Sequence, residues 1–144
     1  MSNKDAAQIF FDNLWTDPPT ARGAATEDVT WVTTRSLPIP GAEDNGIEHV
    51  GWDAVQHVAN SGLVLENGYV AQTVTFPRRE FFEVEGERVI FQFTMSCKTK
   101  TGMDYLNDYL FFVEMRDGRV ARLQEYWDSK QAYDLLLAPS IAGQ

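Results

Sequence analysis

Cysteine is nearly absent: Cys97 stands alone in 144 residues, so no internal disulfide and no cysteine-based zinc site can form. The two histidines, His49 and His57, show neither HxH nor HxxxH spacing, which speaks against a metal centre. No stretch approaches the roughly 18 apolar residues of a membrane span. The opening MSNKDAAQIFFDNLW also lacks the long apolar run of a signal peptide, and a cytoplasmic protein is the resulting expectation. Basic residues are few, 12 against 21 acidic ones, for a net charge of −9. That balance opposes nucleic acid and anionic membrane surfaces as partners. There is no Walker or dinucleotide glycine pattern and no GxSxG elbow, so no cofactor is expected.

Aromatic side chains, by contrast, are plentiful. Nine Phe, five Tyr and four Trp exceed what a core of this size needs and point to a ring-lined cavity. The length argues for a single domain over 1–144. Ala7, Phe10, Phe11, Leu14 and Trp15 recur at helical spacing, predicting an amphipathic helix over 4–15 with Trp15 turned to the core. A short helix from Thr20, a strand over 29–33, a long loop over 36–51 and a helix from Trp52 to about Gly62 follow. Four long strands come next, over 70–84, 88–99, 103–115 and 119–127, separated by EGE, KTG and RDG turns. Pro77 marks a bulge in the first of them. A last helix over 130–137 is expected to stop at Pro139. This order is an α+β layout, an antiparallel meander with its helices on one face.

Two strings sharpen that layout. The run from Tyr105 to Phe112 leads through Arg116-Asp-Gly-Arg-Val120 into Glu125-Tyr-Trp-Asp128, while Glu27-Asp-Val-Thr-Trp31 is followed by Gly51 and a helix. Together they resemble SnoaL-like proteins of the nuclear transport factor 2-like superfamily over roughly residues 5–137. The resemblance implies a cone-shaped cystatin-like fold, a strongly curved antiparallel sheet wrapped around N-terminal helices with an interior pocket, and a homodimer through the outer sheet face. It does not select a chemistry, since isomerases, epoxide hydrolases, cyclases and pure binders share the fold. Thr33 stands where ketosteroid isomerase carries its catalytic Asp. Gln92, Thr94 and Glu125 stand where limonene epoxide hydrolase carries its Arg, Asp and last-strand Asp. Both of those routes are thereby disfavoured. A one-residue slip would instead turn Phe91, Phe93 and Met95 to the pocket, so which face of this strand lines it stays open.

Glu125 is the sharpest candidate. It shares a strand face with Leu123 and Trp127, and a carboxyl group between apolar side chains has a raised pKa suited to acid–base work. The alternative is a salt bridge to Arg122 or Arg119. Tyr105, Asn107 and Tyr109 share a face of the preceding strand and can orient a ligand or donate to an oxyanion; they can equally be core residues with satisfied hydroxyls. His49, in the long loop, is either an acid–base partner for Glu125 or Tyr109 or a solvated loop side chain. Trp31, Thr33 and Arg35 share a face of the first strand, with Trp31 and Trp127 as expected walls and Arg35 as a site for a carboxylate or phenolate. Gln92 completes the set of ligand contacts.

These residues point to a cofactor-independent lyase or isomerase acting on a small hydrophobic, aromatic or polyketide-like molecule. A non-catalytic ligand-binding or assembly protein of the same fold is the competing reading. An arginine on Glu125 would favour the second; an enclosed polar cluster around it would favour the first.

Overall fold

A computed structural model describes residues 1–35 and 47–142. The Ser2 side chain accepts the Asp5 N–H at 3.0 Å and so caps α1 (Asn3–Asn13). Ala7, Phe10 and Phe11 form its buried stripe. Two prolines open α2 (Pro18–Gly23), where a missing N–H costs nothing. The chain continues through β1 (Ala25–Val32), β2 (Glu48–Val50) and α3 (Trp52–Val64). It then runs through β3 (Thr75–Val84), β4 (Arg88–Lys98), β5 (Asp104–Arg116) and β6 (Arg119–Trp127). Of the loop expected over 36–51, residues 36–46 lie outside the described residues.

Six strands form one sheet in the order β2-β1-β6-β5-β4-β3. The meander β3 to β6 is antiparallel, as its hairpin turns require. Asp117 and Gly118 both take positive φ, 53° and 73°, the pairing that closes a tight two-residue hairpin without splaying its strands. β1 departs from the antiparallel expectation: it runs parallel to β6, with Trp31 the Cα partner of Leu123. The register of β3 shifts between Thr75 and Arg78, around Pro77. β3 also starts later than its composition suggests. Residues Ala71–Thr73 form a 3-10 turn, and Thr73 Oγ1 accepts the Lys98 N–H at 2.9 Å in place of a ladder carbonyl.

Burial alternates along β4 and β5. Val89, Phe91, Phe93, Met95 and Cys97 face inward, as do Tyr105, Asn107, Tyr109, Phe111, Val113 and Met115. Phe11 of α1 packs on Phe91 and Phe111, with ring centroids 4.6 and 5.2 Å apart, fixing that helix against the sheet. Trp15 does not join this core. α1 ends at Asn13, so Trp15 leaves the helix's buried stripe and stays 44% exposed. Its indole N–H instead donates to the Ala59 carbonyl at 2.8 Å.

The C-terminal helix also differs from expectation, since it does not stop at Pro139. It runs through α4 (Ser129–Ala132), a π turn over Tyr133–Leu137 and α5 (Ala138–Ala142). Proline has no N–H for the carbonyl four residues back, that of Leu135. The Asn67 side chain supplies it, Nδ2 donating to Leu135 O at 2.8 Å. The wider π turn next to Pro139 accommodates its ring. Among the described residues no helix is long and apolar enough to cross a membrane.

Candidate functional site

The curvature of the sheet leaves a cavity of about 70 Å³ between its inner face and the helices. Its sheet wall is Trp31 of β1, Phe93 and Met95 of β4, Tyr109 and Phe111 of β5, and Glu125 and Trp127 of β6. Val58 and Gly62 of α3, with Tyr69 beyond it, close the opposite side, and the exposed rings of Trp15 and Phe76 stand at the rim. The wall is therefore almost wholly aromatic and aliphatic, with few polar groups, as in ordinary small-molecule sites.

Among the described residues Glu125 supplies the one carboxyl group of that wall. It is 7% exposed, and Phe111 is its Cα partner on β5. No basic side chain among the described residues lies within ion-pair distance of it: Arg122 binds Glu48, Arg116 binds Asp28, and Arg79 binds Asp12. Loss of hydration therefore dominates and pushes the Glu125 carboxyl up to about 8. The opposing influence comes from the Trp31 indole. Its buried N–H meets no acceptor at full hydrogen-bond geometry, yet it lies near enough to favour the charged carboxylate. Trp31 is held edge-on against Phe111, centroids 5.3 Å apart, and Trp127 is held by its own N–H to Thr34 Oγ1 at 3.1 Å.

Three tyrosine hydroxyls meet one another, and two of these residues, Tyr69 and Tyr109, line the cavity with Glu125. Tyr105 and Tyr109 hydroxyls lie 2.5 Å apart, and Tyr109 and Tyr69 hydroxyls 3.1 Å apart. Asn107 Nδ2 donates to the Tyr105 hydroxyl at 2.9 Å and to the Asp128 carbonyl at 3.1 Å. Burial raises all three phenols, Tyr69 and Tyr109 well above their ordinary range, so each keeps its proton at neutral pH. Tyr69 also feels the charge of Glu125, which places phenol and carboxyl in one electrostatic neighbourhood.

The remaining sequence candidates are placed as follows. Tyr105 and Asn107 are buried behind Tyr109 and are not part of the cavity wall. His49 belongs to β2, not to a loop, and is buried opposite Trp31 as its Cα partner. β1 therefore stands between His49 and Glu125. Thr33 is buried with its hydroxyl directed to the Ile47 carbonyl at 3.4 Å, away from the cavity wall. Arg35 is exposed. Gln92 points to the outer sheet face, where it accepts from Arg78 at 3.3 Å. The inward face of β4 is that of Phe91, Phe93 and Met95, which corrects the register that favoured Gln92. Cys97 is a buried thiol, pushed up to about 11 by burial.

Tyr69 is the site residue that sequence reasoning missed, because it follows α3 in an irregular stretch with no periodicity to orient it. Two glycines hold it. A Cβ at Gly62 would lie 2.3 Å from the Tyr69 ring, and one at Gly68 would lie 2.1 Å from the Gly62 carbonyl. That carbonyl accepts the Tyr69 N–H at 2.8 Å. An aromatic residue directly after Asn-Gly and seven residues beyond a helical glycine was the available signal.

No protein-family model and no curated protein sequence matches the chain. Solved structures do. A nuclear transport factor 2-like protein of unknown function from Burkholderia pseudomallei is 19% identical, covering 94% of this chain and 98% of its own at a TM-score of 0.74. TerC, crystallised with polyporic acid, is 21% identical, covering 92% and 96% at 0.73. A protein from Xanthomonas campestris described as having a cystatin-like fold is 17% identical, covering 89% and 92% at 0.65. The chain thus has the nuclear transport factor 2-like, cystatin-like fold that its strings resemble.

Proposed function

We propose that the protein is a one-domain, cofactor-independent lyase or isomerase in which Glu125 carries protons for a small hydrophobic, aromatic or polyketide-like ligand. The observation that supports this reading is an arginine-free, buried carboxyl group on the wall of an apolar cavity. With its carboxyl at about 8, Glu125 is about 90% protonated at pH 7. It therefore acts first as a general acid, giving its proton to a carbonyl or leaving hydroxyl oxygen of the ligand. The carboxylate so formed takes a proton from a neighbouring carbon, which completes an enolisation or an elimination of water and restores the acid. The Trp31 N–H offers that transient carboxylate a donor, and Trp31 and Trp127 clamp the ligand's faces.

The competing reading, a binding protein without turnover, draws support from the small cavity and its few polar groups. The likeness to TerC, crystallised with a small aromatic ligand, is compatible with either. Proton exchange separates them. Nuclear magnetic resonance in D2O should show deuterium entering the α-position of a bound cyclic ketone with the wild-type protein and not with Glu125→Gln. Equal exchange in both proteins would remove Glu125 from the chemistry.

We propose further that a second copy covers the outer sheet face. Phe82, Ile90 and Phe112 form one cross-strand row there, and Leu110 and Tyr126 begin the next. Phe82, Phe112 and Tyr126 are each more than 40% exposed, 44%, 45% and 47% respectively, an apolar patch of the kind that marks interfaces.

A further inference from the structure

The hydroxyls of Tyr69, Tyr105 and Tyr109 form a chain whose direction is fixed at one end. The Asn107 amide cannot be turned over. Its Oδ1 accepts the Asp108 N–H at 2.8 Å, and its Nδ2 faces the Asp128 carbonyl. The reverse orientation would set donor against donor and acceptor against acceptor. Nδ2 therefore donates to Tyr105. Tyr105 is buried, and of its two phenol neighbours Tyr109 stands in direct hydrogen-bond geometry at 2.5 Å while Tyr69 interacts more weakly, so its proton goes to Tyr109. Tyr109 accepts that proton, and its own goes to its remaining partner, Tyr69. Tyr69 accepts in turn, and among the described residues its own O–H meets no acceptor in direct hydrogen-bond geometry, at a residue that lines the cavity. Running the chain the other way would aim two protons at Tyr105, from Asn107 and from Tyr109, and leave the buried Tyr105 proton without an acceptor, at a cost of about 1–3 kcal/mol.

We propose that Asn107 sets the polarity of the chain Asn107→Tyr105→Tyr109→Tyr69, so that the cavity presents the Tyr69 O–H as a donor and selects ligands carrying a carbonyl, enolate or phenolate oxygen. The inference rests on the reading of the cavity as a ligand site and names the ligand's chemistry. Tyr69 touches the ligand; Asn107 is a positioning residue acting through two phenols. Each phenol polarises the next, so the terminal donor is stronger than an isolated tyrosine. Glu125, on the wall of the same cavity, supplies a second donor, and an oxygen that gains negative charge is held more tightly than a neutral one.

The test compares cyclohexanone with methylenecyclohexane, a pair alike in shape and differing in the acceptor oxygen. Wild-type protein should bind the ketone about tenfold more tightly, the worth of one buried hydrogen bond. Its 13C carbonyl resonance should move downfield on binding. Tyr69→Phe should lower the affinity ratio severalfold and reduce the shift to what the Glu125 donor alone gives. Asn107→Leu should shrink the shift while Tyr69 is still present, and should add no further loss to Tyr69→Phe. If Asn107→Leu does not fold, Tyr105→Phe interrupts the same chain one step on and should give the same result. A ketone that binds no better than its hydrocarbon analogue, or a shift unchanged in Tyr69→Phe, would overturn the proposal. Glu125→Gln keeps a donor at that position and should keep the ketone preference while losing α-proton exchange. Loss of exchange alone therefore bears on the acid–base reading, and loss of preference alone on this one.

Discussion

Glu125 and Phe111 are Cα partners across the β5–β6 ladder, so the carboxyl group of the cavity is seated against a phenyl ring and not against a cation. Everything distinctive about the site follows from that pairing. A carboxyl group denied both water and a counter-charge keeps its proton, and a protonated acid is a donor and a proton source.

The first consequence is a pH-dependent cost to the fold. In the unfolded chain Glu125 ionises near its ordinary 4.5, while in the folded protein it holds its proton to about 8. The folded state thus binds more protons between those values, and stability falls as pH rises through that window. The penalty grows to at most about 5 kcal/mol. Glu125→Gln removes it. The melting-temperature difference between Glu125→Gln and wild type should widen in the mutant's favour from pH 5 to pH 8.5. A difference that stays constant across that range would show that the carboxyl is already ionised in the fold.

Asn67 should be unusually costly to remove. Its side chain satisfies the Leu135 carbonyl, which Pro139 cannot, and accepts from the Thr101 N–H at 3.1 Å and from the Thr101 hydroxyl at 2.5 Å. Asn67→Ala should lower the unfolding free energy by about 2–4 kcal/mol in urea titration. Pro139→Ala restores an N–H for Leu135, so it should recover part of that loss in the Asn67→Ala background. A double-mutant cycle with no coupling would contradict this account.

Gly62→Ala should act on the site more than on the core. The added methyl meets the Tyr69 ring at 2.3 Å, and the ring must swing away, taking its hydroxyl out of reach of Tyr109. Overpacking of this kind costs about 1–3 kcal/mol. Ketone affinity should fall to the level of Tyr69→Phe; unchanged affinity would mean that helix α3 shifts and the ring does not.

Phe112→Asp places a charge in the outer apolar patch, between Ile90 and the Tyr126 ring. In light scattering the wild type should give twice the chain mass of 16.3 kDa, and the variant 16.3 kDa itself. A wild-type mass equal to one chain would remove the proposed second copy.

Much of this was legible in the sequence, for definite reasons. The alternation in β5 carries its inward face openly, and Asp117-Gly118 names its turn. The segregation of helices before strands gives the α+β class. The position of Glu125 between Leu123 and Trp127 also follows from period two alone. What period two cannot give is the partner of β1. Pairing with β6 crosses most of the chain and leaves no local mark. It is this pairing that sets Trp31 beside Leu123 and brings its indole to Glu125. Gln92 failed for a related reason, since one slip of register exchanges the two faces of β4. Tyr69 was invisible because its placement depends on two missing side chains, at Gly62 and Gly68.

The parallel joint between β1 and β6 also dictates when the site comes into being. Thr30 and Arg122 are partners 92 positions apart, and a ribosome adding about 5–20 residues per second needs on the order of 5–18 seconds to cover that interval. Throughout that time β1 has no β6 to lie against. The indole of Trp31 and the carboxyl of Glu125 are therefore brought together only after β6 has been made. A nascent chain has α1 to α3 well before the strand that carries Glu125.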